Sequence, residues 1–87
     1  MAKKILVIDD DEDILELLTY NLAKEGYEVK SAINGLEGVN LAQDFIPDLI
    51  LIDIMMPVMD GIEAGKIIKN TEKLKSTRVV YLTARAE

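Results

Sequence analysis

Two runs of consecutive apolar residues, each closed by an aspartate, constrain the fold of this chain more than any other feature. The first lies within residues 4–9 and the second within residues 49–53. Continuous aliphatic and β-branched runs of this length are typical of strands that are buried on both faces. Such strands belong to sheets that carry helices on both sides. The two runs therefore predict an α/β fold.

The rest of the chain alternates between strand and helix patterns. Residues 27–32 alternate with a period of two, which predicts a half-covered strand at an edge of the sheet. Residues 78–83 form the last strand, after a polar linker at residues 71–77. Apolar residues at helical spacing predict three helices, namely one with an inward stripe of Ile14, Leu17, Leu18 and Leu22, one over residues 36–44 with Leu36, Val39 and Ala42 on one side, and one over residues 62–70 facing inward through Ala64, Ile67 and Ile68.

These elements follow one another in the order βαβαβαβ. Strands separated by helical crossovers run parallel, and right-handed connections place helices on both faces of the sheet. We therefore predict a doubly wound parallel sheet. In such sheets, ligands bind beyond the carboxyl ends of the strands, where the strand order reverses. The residues that directly follow the strands are thus the first place to look for function.

The residue types that are missing exclude several kinds of chemistry. The 87 residues form one small domain and include no cysteine and no histidine, so thiolate and imidazole metal sites and Ser/His/Asp catalysis are ruled out. A net charge of −6 argues against binding of nucleic acid or anionic membranes by this segment. Since no apolar stretch approaches transmembrane length, we expect a cytoplasmic protein.

Acidic side chains and a hydroxyl follow the strands that the pattern predicts. Asp9 and Asp10 end the first strand, Asp53 ends the third, and Thr83 ends the fourth. Mutually repelling carboxylates favour a bound cation, and Mg²⁺ prefers one or two carboxylates together with water and phosphate oxygens. The alternative is that an acid after a strand only caps the next helix, which we expect of Asp11 or Asp13.

Asp53 is the hardest of these acids to explain as a cap, because Ile54, Met55 and Met56 follow it and no helix starts there. An aspartate can act as a nucleophile toward phosphorus and form an acyl phosphate. Such a reaction needs mainly positioning and neutralisation of charge, and Thr83 is placed to donate a hydrogen bond to a phosphoryl oxygen.

Three segments together resemble the receiver domains of two-component response regulators. They are ILVIDDD at residues 5–11, DIMMPVMDG at residues 53–61 and LTAR at residues 82–85. The resemblance covers the whole chain and implies the flavodoxin-like receiver topology. It also implies a phosphoacceptor signalling domain rather than an enzyme in the ordinary sense, although the parent protein would catalyse its own aspartyl phosphorylation and dephosphorylation.

The resemblance further implies a role for each residue of the motif. Asp53 would be the phosphoacceptor, and Asp9 and Asp10 would bind Mg²⁺ together with Asp53. Met55 would offer its backbone carbonyl to the metal, and Thr83 would be the hydroxyl that contacts the phosphoryl group and switches on activation. The phosphodonor would be a histidine kinase.

The chain also departs from the family pattern. Receiver domains continue through a fourth helix, a fifth strand that ends in a lysine, and a fifth helix, whereas this chain stops at Glu87. We therefore expect a partial receiver domain over residues 1–87, (βα)3β without the last αβα, with impaired phosphoryl transfer. We also expect an exposed fourth strand that promotes homo-oligomers or pairing with a complementing chain.

Two other functions remain open from the residues themselves. The chain can be a receiver-derived structural or self-assembling fragment that performs no phosphotransfer. It can also be a hydrolase of the haloacid-dehalogenase type, which uses a strand-end aspartate and Mg²⁺. That family needs a second aspartate two residues after the nucleophile, where this chain has Met55, so we rank it last.

Overall fold

A computed structural model of the protein describes residues 2–56 and 58–82. Strands and helices alternate along the chain, as the sequence pattern predicts, and a short 3-10 helix precedes the last strand. The strands are β1 (Lys4–Ile8), β2 (Glu28–Ala32), β3 (Leu49–Asp53) and β4 (Arg78–Leu82), the helices are α1 (Glu12–Lys24), α2 (Gly35–Phe45) and α3 (Gly61–Lys69), and the 3-10 helix spans Glu72–Leu74.

All the strands of this sheet run parallel, in the order β2-β1-β3-β4. Alternate residues of β1 point to opposite faces and enter two separate cores. Ile5 and Val7 pack with Leu15 of α1, whereas Leu6 and Ile8 belong to a larger core that includes buried residues of α2 and α3. Helices thus cover both faces, and the predicted doubly wound parallel sheet is confirmed.

Helix α1 faces the sheet through a stripe that includes Leu15, which was not predicted, and lacks Leu17, which was. Leu15 is buried and Leu18 and Leu22 pack beside it, whereas Leu17 is 60% exposed. Two residues advance a helix by about 200°, so Leu17 points away from the sheet when Leu15 points toward it. The prediction that Leu17 faces inward was therefore wrong.

Helices α2 and α3 each begin one residue earlier than predicted, at a glycine. The side chains of Asn34 and Asp60 cap them by accepting hydrogen bonds from the backbone N–H groups of Glu37 and Glu63, at 2.8 Å in both cases. Glycine at the first helical position is a weak local signal, which explains the shift of the predicted boundaries.

Small residues form much of the inner sides of α2 and α3, and two large residues of the predicted apolar stripes are exposed instead. Leu36 is 52% exposed, so it does not share the buried side of Val39 and Ala42 as predicted. Ile67 is 37% exposed, so the prediction that it faces inward was wrong. Val39, Ala42, Ala64 and Ile68 are buried as predicted, together with Gly35, Gly38, Gly61 and Gly65. The helices approach their neighbours so closely that the contact positions hold glycine.

The predicted polar linker contains a buried anchor. Leu74 of the 3-10 helix is only 1% exposed and joins the larger core. One apolar residue among polar neighbours has no periodicity, so the pattern could not reveal it. Among the described residues, no helix is long and apolar enough to cross a membrane.

Candidate functional site

The pairing of β1 with β3 brings the acidic residues together. Ile8 is in register with Ile52, and the residues that follow them, Asp9 and Asp53, therefore lie side by side at the carboxyl edge of the sheet. Asp10 completes the group, because carboxylate oxygens of the three aspartates lie within 4.8 Å of one another. The predicted convergence of these side chains is thus observed, while their chemical roles stay predictions.

Two of these three carboxylates are buried and one faces solvent. Asp9 and Asp53 are each 2% exposed, and Asp10 is exposed. Burial of an ionised carboxylate costs free energy unless hydrogen bonds or a cation offset it. The arrangement leaves the site open on the side of Asp10, where a ligand can enter from water.

Backbone N–H groups orient both buried carboxylates. The Oδ1 atom of Asp9 accepts a hydrogen bond from the N–H of Asp11 at 2.9 Å, and Oδ1 of Asp53 accepts one from the N–H of Met55 at 3.2 Å. Each donor lies two residues after its acceptor, as in an Asx turn. The turns that leave β1 and β3 therefore set the direction of the carboxylates.

The donor atoms of the site suit a hard cation. All the side-chain ligands that the cluster offers are carboxylate oxygens, and the sequence has no cysteine or histidine to attract a softer metal. Mg²⁺ accepts such a set because it binds through one or two carboxylates and keeps several waters. The residues present therefore fit Mg²⁺.

Met55 and Thr83, the other predicted site residues, differ in what can be said of them. Met55 directs its N–H at Asp53, and its side chain is 63% exposed. Thr83 lies outside the described residues. The residue before it, Leu82, is in register with Asp53, so β4 leads toward the acidic cluster.

One acid near the cluster has a structural role, as the capping alternative predicts. Asp11 is the N-cap of α1, and its Oδ1 atom accepts hydrogen bonds from the N–H groups of Asp13 at 3.0 Å and Ile14 at 3.4 Å. The cap lies directly after Asp9 and Asp10. The acidic run thus divides into a pair at the cluster and an acid that starts the helix.

Gly61 packs against the backbone of Asp53. Its N–H donates to the carbonyl oxygen of Ile54 at 2.9 Å, and a Cβ at this position would overlap the backbone of Asp53 and Ile54. The Asp60-Gly61 pair is visible in the sequence as a turn signal. The close approach to Asp53 is not visible there, because it depends on how α3 packs against the end of β3.

The known proteins that this chain matches are consistent with one family. The family model described as the response regulator receiver domain matches residues 5–87. The chain belongs to the response regulator receiver domain family. The predicted family and its flavodoxin-like receiver fold are thereby confirmed.

One curated relative is much longer than this chain. It is 46% identical over 87 residues to the alkaline phosphatase synthesis transcriptional regulatory protein PhoP of Bacillus subtilis, and the match covers 100% of this chain and 35% of that protein. The chain thus spans about a third of the length of this curated relative.

Solved structures agree with the fold of the receiver domain. The chemotaxis protein CheY4 of Vibrio cholerae superposes with a TM-score of 0.93 at 33% identity, over 100% of this chain and 72% of that chain. The response regulator protein TrrA of Thermotoga maritima, solved in complex with Mg²⁺ and BeF, gives a TM-score of 0.86 at 39% identity, over 97% of this chain and 71% of that chain.

Proposed function

We propose that this receiver domain accepts a phosphoryl group on Asp53, with Mg²⁺ bound by Asp9, Asp10, Asp53 and the backbone carbonyl of Met55. The phosphodonor is a histidine kinase of a two-component system. The observation that carries the proposal is the meeting of the three aspartates within 4.8 Å at the carboxyl edge of the sheet.

The reaction joins an Asp53 carboxylate oxygen to phosphorus while the bond from phosphorus to the donor's imidazole nitrogen breaks. Asp53 serves as the nucleophile because the Met55 N–H holds its carboxylate in one orientation at the end of β3. Asp9 is held in the same way by the Asp11 N–H. When bound, Mg²⁺ offsets the negative charge that gathers between these carboxylates and the phosphoryl oxygens.

Thr83 is proposed to contact the phosphoryl group through its hydroxyl and to act as the switch. The register of Leu82, the residue before Thr83, with Asp53 supports this assignment. The similarity to TrrA, which was solved in complex with Mg²⁺ and BeF, supports the proposed Mg²⁺ site. The family's lysine falls outside these 87 residues. We therefore propose that they accept phosphate more weakly than a chain that carries the family's remaining segments.

Phosphorylation can be tested directly by mass spectrometry. The chain is incubated with acetyl phosphate and Mg²⁺, and the intact mass is measured for one added phosphoryl group. We expect the adduct on the wild type and on Asp44→Asn, a control at an exposed acid of α2. It should be absent from Asp53→Asn and after chelation of Mg²⁺. An adduct that persists in Asp53→Asn would contradict the assignment.

A second proposed property is assembly through β4. This strand lies at the end of the β2-β1-β3-β4 sheet and pairs with β3 alone among the described residues, and Val80 on it is 43% exposed. An apolar edge strand offers unpaired backbone groups to another chain. We propose that a second copy or a complementing chain pairs there. Nucleic acid is not a proposed partner, because the chain carries a net charge of −6.

A further inference from the structure

Helix α2 contributes no carboxylate to the acidic cluster, yet it contacts both of the segments that do. Two of its buried residues, Gly35 and Gly38, are three positions apart and therefore lie on the same side of the helix. We call these two positions the glycine face of α2. One of them meets the loop that follows Asp53, and the other meets the strand that precedes Asp9.

Gly35 lies against the backbone of the loop between β3 and α3. A Cβ at this position would lie 2.5 Å from the carbonyl oxygen of Met59, 3.0 Å from its Cβ and 3.1 Å from its Cγ. The nearest of these atoms belongs to the main chain, so a change of rotamer cannot relieve the overlap. A side chain at position 35 would displace the loop itself.

Met59 is linked to Asp53 through the two residues that follow it. Met59 is followed by Asp60, which caps α3, and by Gly61, whose N–H donates to the carbonyl of Ile54 at 2.9 Å. Gly61 also lies too close to the Asp53 carbonyl to admit a Cβ. Two residues after Met59, Gly61 thus packs closely against the backbone of Asp53.

Gly38 makes the corresponding contact on the other side of the site. A Cβ there would overlap Cδ1 of Ile8 and would lie 2.8 Å from its Cγ1 and 3.2 Å from its Cγ2. Ile8 is the last residue of β1 and directly precedes Asp9. The neighbour is a side chain in this case, so a smaller residue at position 8 can make room.

We propose that the glycine face of α2 positions the acidic cluster, with Gly35 setting the place of the loop after Asp53 and Gly38 setting the end of β1 before Asp9. Both are positioning residues, since neither offers a ligand atom to a metal or a phosphoryl group. The consequence for Mg²⁺ affinity rests on the proposed function. The consequence for the geometry of Asp9 and Asp53 does not.

The first test compares Gly35→Ala with Gly26→Ala. Gly26 has a φ of 100°, and a Cβ added there would meet no atom within 4 Å, so alanine strains the backbone at a position remote from the acidic cluster. Backbone amide signals in NMR spectra without metal report the geometry of the site. We expect Gly35→Ala to shift the amide signals of Asp53 and Met55, and Gly26→Ala to leave them in place.

Titration with Mg²⁺ gives the second readout on the same variants. Residues that orient metal ligands change metal affinity about 10–100-fold when they are replaced. We expect Gly35→Ala to bind Mg²⁺ at least about tenfold more weakly than the wild type, and Gly26→Ala to bind it equally well. Unfolding in urea, measured in parallel, separates this effect from a general loss of stability.

A size exchange at the second contact keeps the proposal testable if Gly35→Ala does not fold. Gly38→Ala should move the amide signals of Asp9 and Asp10 and weaken Mg²⁺ binding. Ile8→Val removes Cδ1, the atom nearest to the new methyl group, so the double variant should recover much of the wild-type pattern. A role in packing alone would let the double variant recover stability without recovering the amide positions or the affinity.

The outcomes separate this proposal from the function on which its affinity readout rests. A wild type that binds no Mg²⁺ would contradict the proposed metal site, while the amide signals would still decide the positioning role. Amide signals of Asp9 and Asp53 that stay unmoved in folded Gly35→Ala and Gly38→Ala would overturn the proposal, even if Mg²⁺ binds the wild type as expected.

Discussion

Leu15 and Leu17 are separated by one residue on α1 and lie on opposite sides of it. Leu15 is 6% exposed and packs with Ile5 and Val7 of β1, whereas Leu17 is 60% exposed. Both residues are leucines and therefore have the same intrinsic helix propensity. Any difference between their contributions to stability therefore comes from burial.

Replacing each leucine by alanine should measure this difference. We expect Leu15→Ala to lower the free energy of unfolding by about 2–5 kcal/mol, because it removes buried methyl groups and leaves a cavity. Leu17→Ala should change it by less than about 0.5 kcal/mol, as is usual at exposed positions. Urea denaturation followed by circular dichroism gives both values. Equal losses would show that α1 is rotated relative to this arrangement.

Each α-helix among the described residues begins with a side chain that accepts a backbone hydrogen bond. The caps are Asp11, Asn34 and Asp60, for α1, α2 and α3 respectively. Two of them stand in the loops that leave β1 and β3, close in sequence to Asp9 and Asp53. In each loop, one aspartate caps the following helix, and another, at the end of the preceding strand, belongs to the acidic cluster.

The capping role of Asp11 should be measurable as a loss of stability. We expect Asp11→Ala to lower the free energy of unfolding by about 0.5–2 kcal/mol, since the N–H groups of Asp13 and Ile14 lose their acceptor. Asp11→Asn keeps an acceptor oxygen and should lose much less. Glu16→Ala, on the exposed side of the same helix, is the matched control, and urea titrations of these variants supply the comparison. A loss in Asp11→Asn as large as that in Asp11→Ala would argue for charge rather than capping.

The two edges of the sheet differ in how they meet solvent. On β2, Glu28 and Lys30 are exposed, and charged side chains on an edge strand discourage pairing with another chain. On β4, a single charge at Arg78 is followed by the apolar residues 79–82. The charge pattern is the reason why the proposed assembly is assigned to β4 rather than to β2.

Sedimentation velocity over a range of protein concentrations tests the proposed assembly through β4. We expect the sedimentation coefficient of the wild type to rise with concentration, and Val80→Lys to suppress the rise by placing a charge on the pairing edge. Ser31→Lys introduces the same side chain on β2 and should leave association unchanged. A wild type that stays monomeric at all concentrations and unfolds in one cooperative transition would refute assembly through β4.

The sequence by itself determined the features that depend on neighbouring residues. Continuous apolar runs identified β1 and β3, Asp11 was among the acids expected to cap α1, and the motifs around Asp9 and Asp53 pointed to the receiver family. Local patterns suffice here because strand burial and helix capping act within a few residues. The role of Thr83 stays a prediction.

Only the tertiary structure decided which residues meet across the chain. The pairing of β1 with β3 puts Asp9 and Asp53 side by side, and the packing of α1 selects Leu15 rather than Leu17. The contact between Gly35 and Met59 appears only when α2 lies against the loop after β3. Contacts of this kind join residues far apart in sequence, and local periodicity carries no information about the distance between them.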